Sequence, residues 1–177
     1  MSGKIYNVLV LCTGNSARSI LAEAIFNREG RGRVRAYSAG SHPKGVPNPF
    51  ALELLASLGH DIADLRSKSW SEFSGPGAPE LDLVVTVCDA AAGEACPYWP
   101  GTPMRAHWGI PDPADVQGTD DHKRAAFRLA HDRLHARIAA LMQLPFETLA
   151  AAELKIQLAT IGRMEGATGP AAAGGKG

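Results

Sequence analysis

The chain has no excess of charge of either sign: 18 Lys and Arg stand against 18 Asp and Glu over 177 residues. That balance argues against a broad basic field for nucleic acid or an anionic membrane, so any anion site must be built locally. No apolar run approaches the roughly 20 residues that span a bilayer. The opening Met1-Ser2-Gly3-Lys4 leads straight into apolar residues, without the layout of a secretory signal. Cysteine is scarce, and its count of three leaves a disulfide framework incomplete. Without a secretion signal, such thiols are expected to be free and chemical, and the protein cytoplasmic. The first turn lacks the glycine pattern of a dinucleotide fingerprint, and no Gly-Lys-Ser/Thr completes a Walker loop. No internal repeat is present. The length fits one domain with a sizeable core.

What is present centres on Cys12-Thr13-Gly14-Asn15-Ser16-Ala17-Arg18-Ser19. The run Val8-Leu9-Val10-Leu11 before it reads as a buried strand, and residues 20–27 after it read as a helix. A cysteine at the carboxyl end of a strand is thus joined by a short polar loop to an arginine at a helix start. Gly14 and its small neighbours let the backbone curl, and Asn15 tolerates left-handed dihedrals. A curled loop turns its N–H groups inward as an anion nest, and the helix end adds unpaired N–H groups. Arg18 can fork onto two oxygens of a bound anion. The same positive field is expected to lower the Cys12 pKa and make it a nucleophile. A buried apolar cysteine ending a strand is the plainer reading, but it leaves the neighbouring Gly, Asn, Ser and Arg unexplained.

Further along, strands alternate with helices. Strands are expected at 5–11, 34–38, 81–87 and 105–108, with Ser38-Ala39-Gly40-Ser41 as an exit turn. Helices are expected at 47–58, with Leu52, Leu54, Leu55 and Leu58 facing the core, and at 119–144. The long helix offers Phe127, Leu129, Leu134, Ile138 and Leu141 to the core. His131 and His135 share one of its faces at metal-compatible spacing but lack a third ligand, so a solvated face is expected. His42, beside the loop, is read as a surface histidine that acid–base chemistry could use. Residues 61–73 are mixed and 74–79 form a loop. Cys88 ends the third strand, and 89–94 is small and flexible, followed by Cys96-Pro97. Pro145 breaks the long helix, 146–161 forms another, and 165–177, rich in Gly, Ala and Pro, reads as a disordered tail. The layout is 1–145 as one α/β domain, 146–164 as an additional helix that packs on the domain or on a second copy, and 165–177 as tail. It implies a parallel sheet with helices on both faces.

The run Val8 to Ala24, with Cys12-Thr13-Gly14-Asn15-Ser16-Ala17-Arg18-Ser19 at its heart, resembles the signature of arsenate reductases built on the low-molecular-weight tyrosine phosphatase fold. Ser38-Ala39-Gly40, Val85-Thr86-Val87-Cys88-Asp89, Cys96-Pro97, His107-Trp108-Gly109 and Asp112-Pro113 extend the likeness to about residue 145. The resemblance implies a four-stranded parallel sheet with the catalytic strand central. It implies Cys12 as nucleophile, and Arg18 with the Thr13–Ser19 loop as oxyanion binder, Ser19 bonding the thiolate. Asp112 would be the acid that protonates the leaving oxygen, with Asp115 a nearby competitor. It implies a disulfide cascade from Cys12–Cys88 to Cys88–Cys96, reset by thioredoxin or by glutaredoxin with glutathione, with no metal or organic cofactor. Arsenate would be the substrate and phosphate its competitor. Glu23 falls where the family orders the loop, sometimes through potassium, and Lys68 falls where potassium-binding relatives carry a carboxylate. An ammonium there could replace the ion, although an exposed lysine is the plainer expectation.

The sequence departs from the pattern in places. The gap between Cys88 and Cys96 is slightly longer than in thioredoxin-linked members, which leaves the electron donor open. Ala17 stands where relatives often carry a second loop cysteine. Two other functions compete. A low-molecular-weight tyrosine phosphatase would hydrolyse the cysteinyl-phosphate, but such enzymes tend to place an aromatic where Ala114 follows Asp112-Pro113. A non-catalytic oxyanion-binding module would not need the intact cysteine and arginine.

Overall fold

In the computed structural model, residues 3–93, 99 and 101–169 are described. Strand β1 (Tyr6–Cys12) pairs in parallel with β2 (Val34–Gly40) on one side and with β3 (Leu83–Thr86) on the other; β4 (Met104–His107) extends the sheet, giving the order β2-β1-β3-β4. β1 is therefore central, and its near-continuous apolar run has a direct cause. Val8, Val10 and Cys12 point to one face, and Leu9 and Leu11 to the other, where each is fully buried.

The first face is covered by α1 (Arg18–Glu29), α2 (Pro49–Ser57), α4 (Asp120–Met142) and α5 (Ala151–Gly162), which bring Ile20, Leu55, Leu134 and Leu158 into one core. The second face, expected to carry helices as well, is covered among the described residues by the 3-10 turn Trp70–Phe73, with Phe73, Leu81 and Trp99 packed on Leu9 and Leu11. A short helix, α3 (Asp89–Gly93), follows β3.

Several local expectations are corrected. The Ser38-Ala39-Gly40 run continues β2, because Gly40 stays paired opposite Cys12. In α2, Pro49 follows the N-cap Asn48, and only Leu55 of the four expected leucines is fully buried. Leu129 is 48% exposed, since it lies off the stripe of Phe127, Leu134, Ile138 and Leu141. Residues 89–93 are helical rather than loose. His131 is buried while His135 stays partly open; they pair with Asp132 (3.0 Å) and Glu29 (3.3 Å) respectively.

The last helix starts at Ala151, later than expected. Phe146 is instead buried edge-on against Tyr6 at 5.2 Å, and Arg33 holds the turn by donating to Met142 O and Leu144 O and pairing with Glu147. Arg33 thereby satisfies the open carbonyls at the end of α4. Helix α5 packs on the domain: Trp108 Nε1 donates to Leu158 O at 3.1 Å. The chain from Glu165 to Gly169, expected to begin a tail, is held down instead. Arg137, fully buried, donates to Met164 O and Glu165 O, and Arg133 pairs with Glu165. No described helix is long and apolar enough to cross a membrane.

Candidate active site

Cys12 ends β1 and Arg18 begins α1, so the loop between them sits at the carboxyl edge of the sheet, where open parallel sheets build their sites. The loop curls at Asn15, whose φ of 45° is the left-handed region. Asn15 is fully buried and braces the curl from inside. Its Nδ2 donates to Ser19 Oγ (2.8 Å) and Ser38 Oγ (3.0 Å), and its Oδ1 accepts from Lys68 N (2.8 Å). Ser19, expected to face the Cys12 thiolate, accepts from Asn15 through its own Oγ.

The loop's carbonyls are tied outward by the chain that follows β2. Thr13 O accepts from His42 N, Gly14 O from Lys44 N and Ser67 Oγ, and Ser16 O from Asn48 N. A trans peptide holds its N–H opposite its C=O. Turning these oxygens outward therefore turns the N–H groups of Gly14, Asn15 and Ala17 toward the cleft. Helix α1 has no side-chain cap and no acid in its first turn, which leaves its N-terminal field open to an anion.

Arg18 is fastened in place. Its Nη1 donates to Ile110 O at 2.8 Å, and its Nη2 lies 3.3 Å from Asp112 Oδ2. Among the described residues its buried Nε has no hydrogen-bond partner. Asp112 caps the turn Pro113–Asp115 by accepting from Ala114 N at 2.9 Å. The cleft is lined by residues 12–18 together with His42, Lys44, Cys88, Asp89, Ile110, Asp112, Asp115 and Thr168.

Cys88 is buried in the same cleft as Cys12, and both thiols are free. Their mutual interaction decides the titration of the pair. It draws Cys88 down to about 5, helped by Ala91 N (3.4 Å) at the head of α3 and by Thr13 Oγ1 (3.6 Å), against its burial. The same interaction, with burial, pushes Cys12 up, and the Arg18 charge opposes that rise. The expectation of a lowered Cys12 is not met in this arrangement, where Cys88 and burial raise it, and the two thiols titrate as a pair. Cys96 lies outside the described residues.

Behind the loop, Lys68 is buried rather than exposed. Its Nζ lies 3.7 Å from Glu23 Oε1 and donates to Arg66 O at 3.0 Å, while Ser38 Oγ donates to Glu23 Oε1 at 2.5 Å. Burial pushes Glu23 up and Lys68 down, and each is pulled back by the other. Among the described residues no group of three or more His, Cys, Asp or Glu could hold a metal ion.

Sequence reasoning missed Lys44, whose side chain lies against Gly14; a Cβ there would meet Lys44 Cε at 3.2 Å. It missed Asp89 and Thr168 as well. A basic residue after the Ser-Ala-Gly triplet was a usable signal for Lys44; nothing local signalled Thr168.

Residues 7–155 match the model of the low molecular weight phosphotyrosine protein phosphatase family. The chain is 39% identical over 131 residues to an arsenate reductase of Halalkalibacterium halodurans, covering 74% of this chain and 91% of that one. It is 37% identical to an arsenate reductase of Bacillus subtilis, covering 78% and 94%. Among solved structures, an arsenate reductase from Archaeoglobus fulgidus aligns with TM-score 0.60 at 27% identity, over 77% of this chain and 99% of that one. A low molecular weight protein tyrosine phosphatase from T. tengcongensis aligns with TM-score 0.60 at 25% identity, over 78% and 98%.

Proposed function

This chain belongs to the low molecular weight phosphotyrosine protein phosphatase family, and from that premise we propose that it is an arsenate reductase working through a thiol cascade. One observation carries the choice between reduction and hydrolysis: a second buried thiol, Cys88, lines the same cleft as the loop cysteine. A phosphatase needs water at that point, whereas a reductase needs a thiolate.

The proposed steps are these. Arsenate binds against the inward N–H groups and Arg18. Cys12 passes its proton to Cys88 and attacks arsenic as a thiolate. Asp112 protonates the departing oxygen, which leaves as water. Charge on the equatorial oxygens is held by the loop amides and Arg18, with Ser19 and Asn15 fixing the loop that carries them. Cys88 gives its proton to solvent and, as a thiolate, attacks Cys12 Sγ. A Cys12–Cys88 disulfide forms, the S–As electron pair passes to arsenic, and arsenite leaves. Cys96 attacks Cys88, Cys12 is released as a thiolate, and a Cys88–Cys96 disulfide remains. A thiol donor, thioredoxin or glutaredoxin with glutathione, returns two electrons. Free Cys12 and Cys88 thiols suit a reducing compartment, the cytoplasm. Phosphate, of the same shape and charge, competes.

The test is a single turnover without external reductant. Reduced protein is mixed with arsenate, quenched with an alkylating agent and mapped by mass spectrometry. Cys12 is expected to be alkylated and Cys88 joined to Cys96. Three free thiols would remove the cascade and leave hydrolysis of phosphomonoesters as the chemistry of the loop.

A further inference from the structure

Glu165 to Gly169 lies beyond the family match, which ends at residue 155, yet it is part of the site. The segment is held at both ends. Near its start, the fully buried Arg137 donates through Nη2 to Met164 O (2.8 Å) and Glu165 O (3.1 Å), and Arg133 forks onto Glu165. Peeling the segment away would leave a buried guanidinium without these acceptors, so the segment is fastened rather than draped. At its far end Thr168 N donates to Gly109 O at 3.1 Å, and Thr168 Oγ1 donates to Asp89 Oδ1 at 3.1 Å.

Asp89 is the first residue of α3 and the neighbour of Cys88. The oxygen that Thr168 reaches also meets His107 Nε2 at 2.8 Å, and His107 Nδ1 meets Thr86 Oγ1 at 2.6 Å. Thr86 and His107 sit opposite each other at the carboxyl ends of β3 and β4. The carboxylate assigns the imidazole proton to Nε2, with Nδ1 accepting from Thr86. Gly109 lies under the junction. A Cβ there would stand 2.6 Å from Asp89 Oδ1 and 2.7 Å from both His107 Nε2 and Thr168 Oγ1, so no side chain fits. The head of the helix that carries Cys88 is thus tied to two strands and to the C-terminal segment. None of these residues has a part in the chemistry above.

We propose that Thr168 is a positioning residue for the internal thiol exchange: with His107 it clamps the Asp89 carboxylate and holds Cys88, at the head of α3, on Cys12. The proposal rests on the reductase reading and concerns one step of it. In that step Cys88 Sγ bonds to Cys12 Sγ, the Cys12–As bond breaks, and its electron pair leaves with arsenite. The clamp does not touch Arg18 or the loop amides, so oxyanion binding is left as it was.

The test uses the full chain carrying Cys96→Ser, so that the Cys12–Cys88 disulfide accumulates, with Thr168→Val and Thr168→Ser added singly. Arsenate is mixed with reduced protein and disulfide formation is followed by timed alkylation and mass spectrometry. Thr168→Val is expected to close the disulfide about tenfold more slowly, the scale of losing alignment of a reacting pair, and Thr168→Ser to restore the parental rate. Protection of Cys12 from alkylation by inorganic phosphate is expected to be unchanged. Closure by Thr168→Val at the parental rate overturns the proposal, as does a serine variant as slow as the valine one. A second readout needs no arsenate: alkylation of Cys88 by iodoacetamide is expected to quicken several-fold in Thr168→Val, and an unchanged rate overturns the proposal. Failure of the parent itself to form the disulfide would sink the reductase reading, and the arsenate-free readout then decides the clamp by itself.

Discussion

Replacing Lys68 by methionine tests the cation behind the loop. The Lys68 and Glu23 side chains are 7% and 13% exposed, with Nζ 3.7 Å from the carboxylate. Removing the ammonium leaves Glu23 with the donors of Ser38, whose Oγ lies at 2.5 Å. Breaking one side of a buried pair costs about 3–5 kcal/mol. The long separation and the retained Ser38 bond place this case at the low end, about 3 kcal/mol, or roughly 10 °C in melting temperature for a chain of this size.

The loss has a sign with pH. Burial already raises Glu23 above its ordinary value, and removing Lys68 raises it further. A carboxyl raised in the folded state stabilises below its unfolded pKa and loses that contribution as pH rises through the folded value. The deficit is therefore smallest near the ordinary value of 4.5 and grows toward neutral pH. The assay is urea unfolding of both proteins across this range, in potassium and in sodium chloride. Potassium is expected to recover part of the loss at neutral pH. A change within about 0.5 kcal/mol, flat with pH and indifferent to the cation, is what an exposed lysine would give, and it would refute the reasoning.

Other perturbations reach the loop and its thiols. Asp112→Asn is expected to slow the first chemical step by about 100-fold or more in rapid-quench turnover, because the leaving oxygen loses its acid; an unchanged rate would pass that role to another group such as Asp115. Asn15→Ala removes three buried hydrogen bonds and the residue type that tolerates φ of 45°, so a loss of about 3 kcal/mol is expected in chemical denaturation. Alkylation of Cys88 in the reduced protein is expected to keep its rate as pH falls from 8 toward 6, because its thiol is drawn down to about 5; a decline beginning near pH 8 would place the thiolate elsewhere.

Much of this molecule was legible in one dimension. Val8 to Leu11 declared a central parallel strand, since only a strand covered on both faces is apolar at successive positions. The Cys12–Arg18 spacing placed a thiol at a strand end and a guanidinium at a helix start, and Asn15 marked the left-handed turn between them. The misreadings share a cause. Lys68 looked exposed because a lysine's environment depends on what folds against it, here Glu23. Residues 89–93 looked loose because small residues form a helix only when an anchor such as Cys88 and a neighbouring strand hold them. Residues 165–169 looked free because nothing in their own sequence announces Arg137.

Periodicity and residue type, properties of neighbours along the chain, therefore determined the sheet, the anion loop and the family. Tertiary structure alone decided the pairings between distant residues: Cys12 with Cys88, Glu23 with Lys68, Arg18 with Asp112, and Asp89 with His107 and Thr168. Each depends on burial and on distances set by elements that meet only when the chain is packed. The same packing couples the titration of the two thiols, a property that no local pattern encodes.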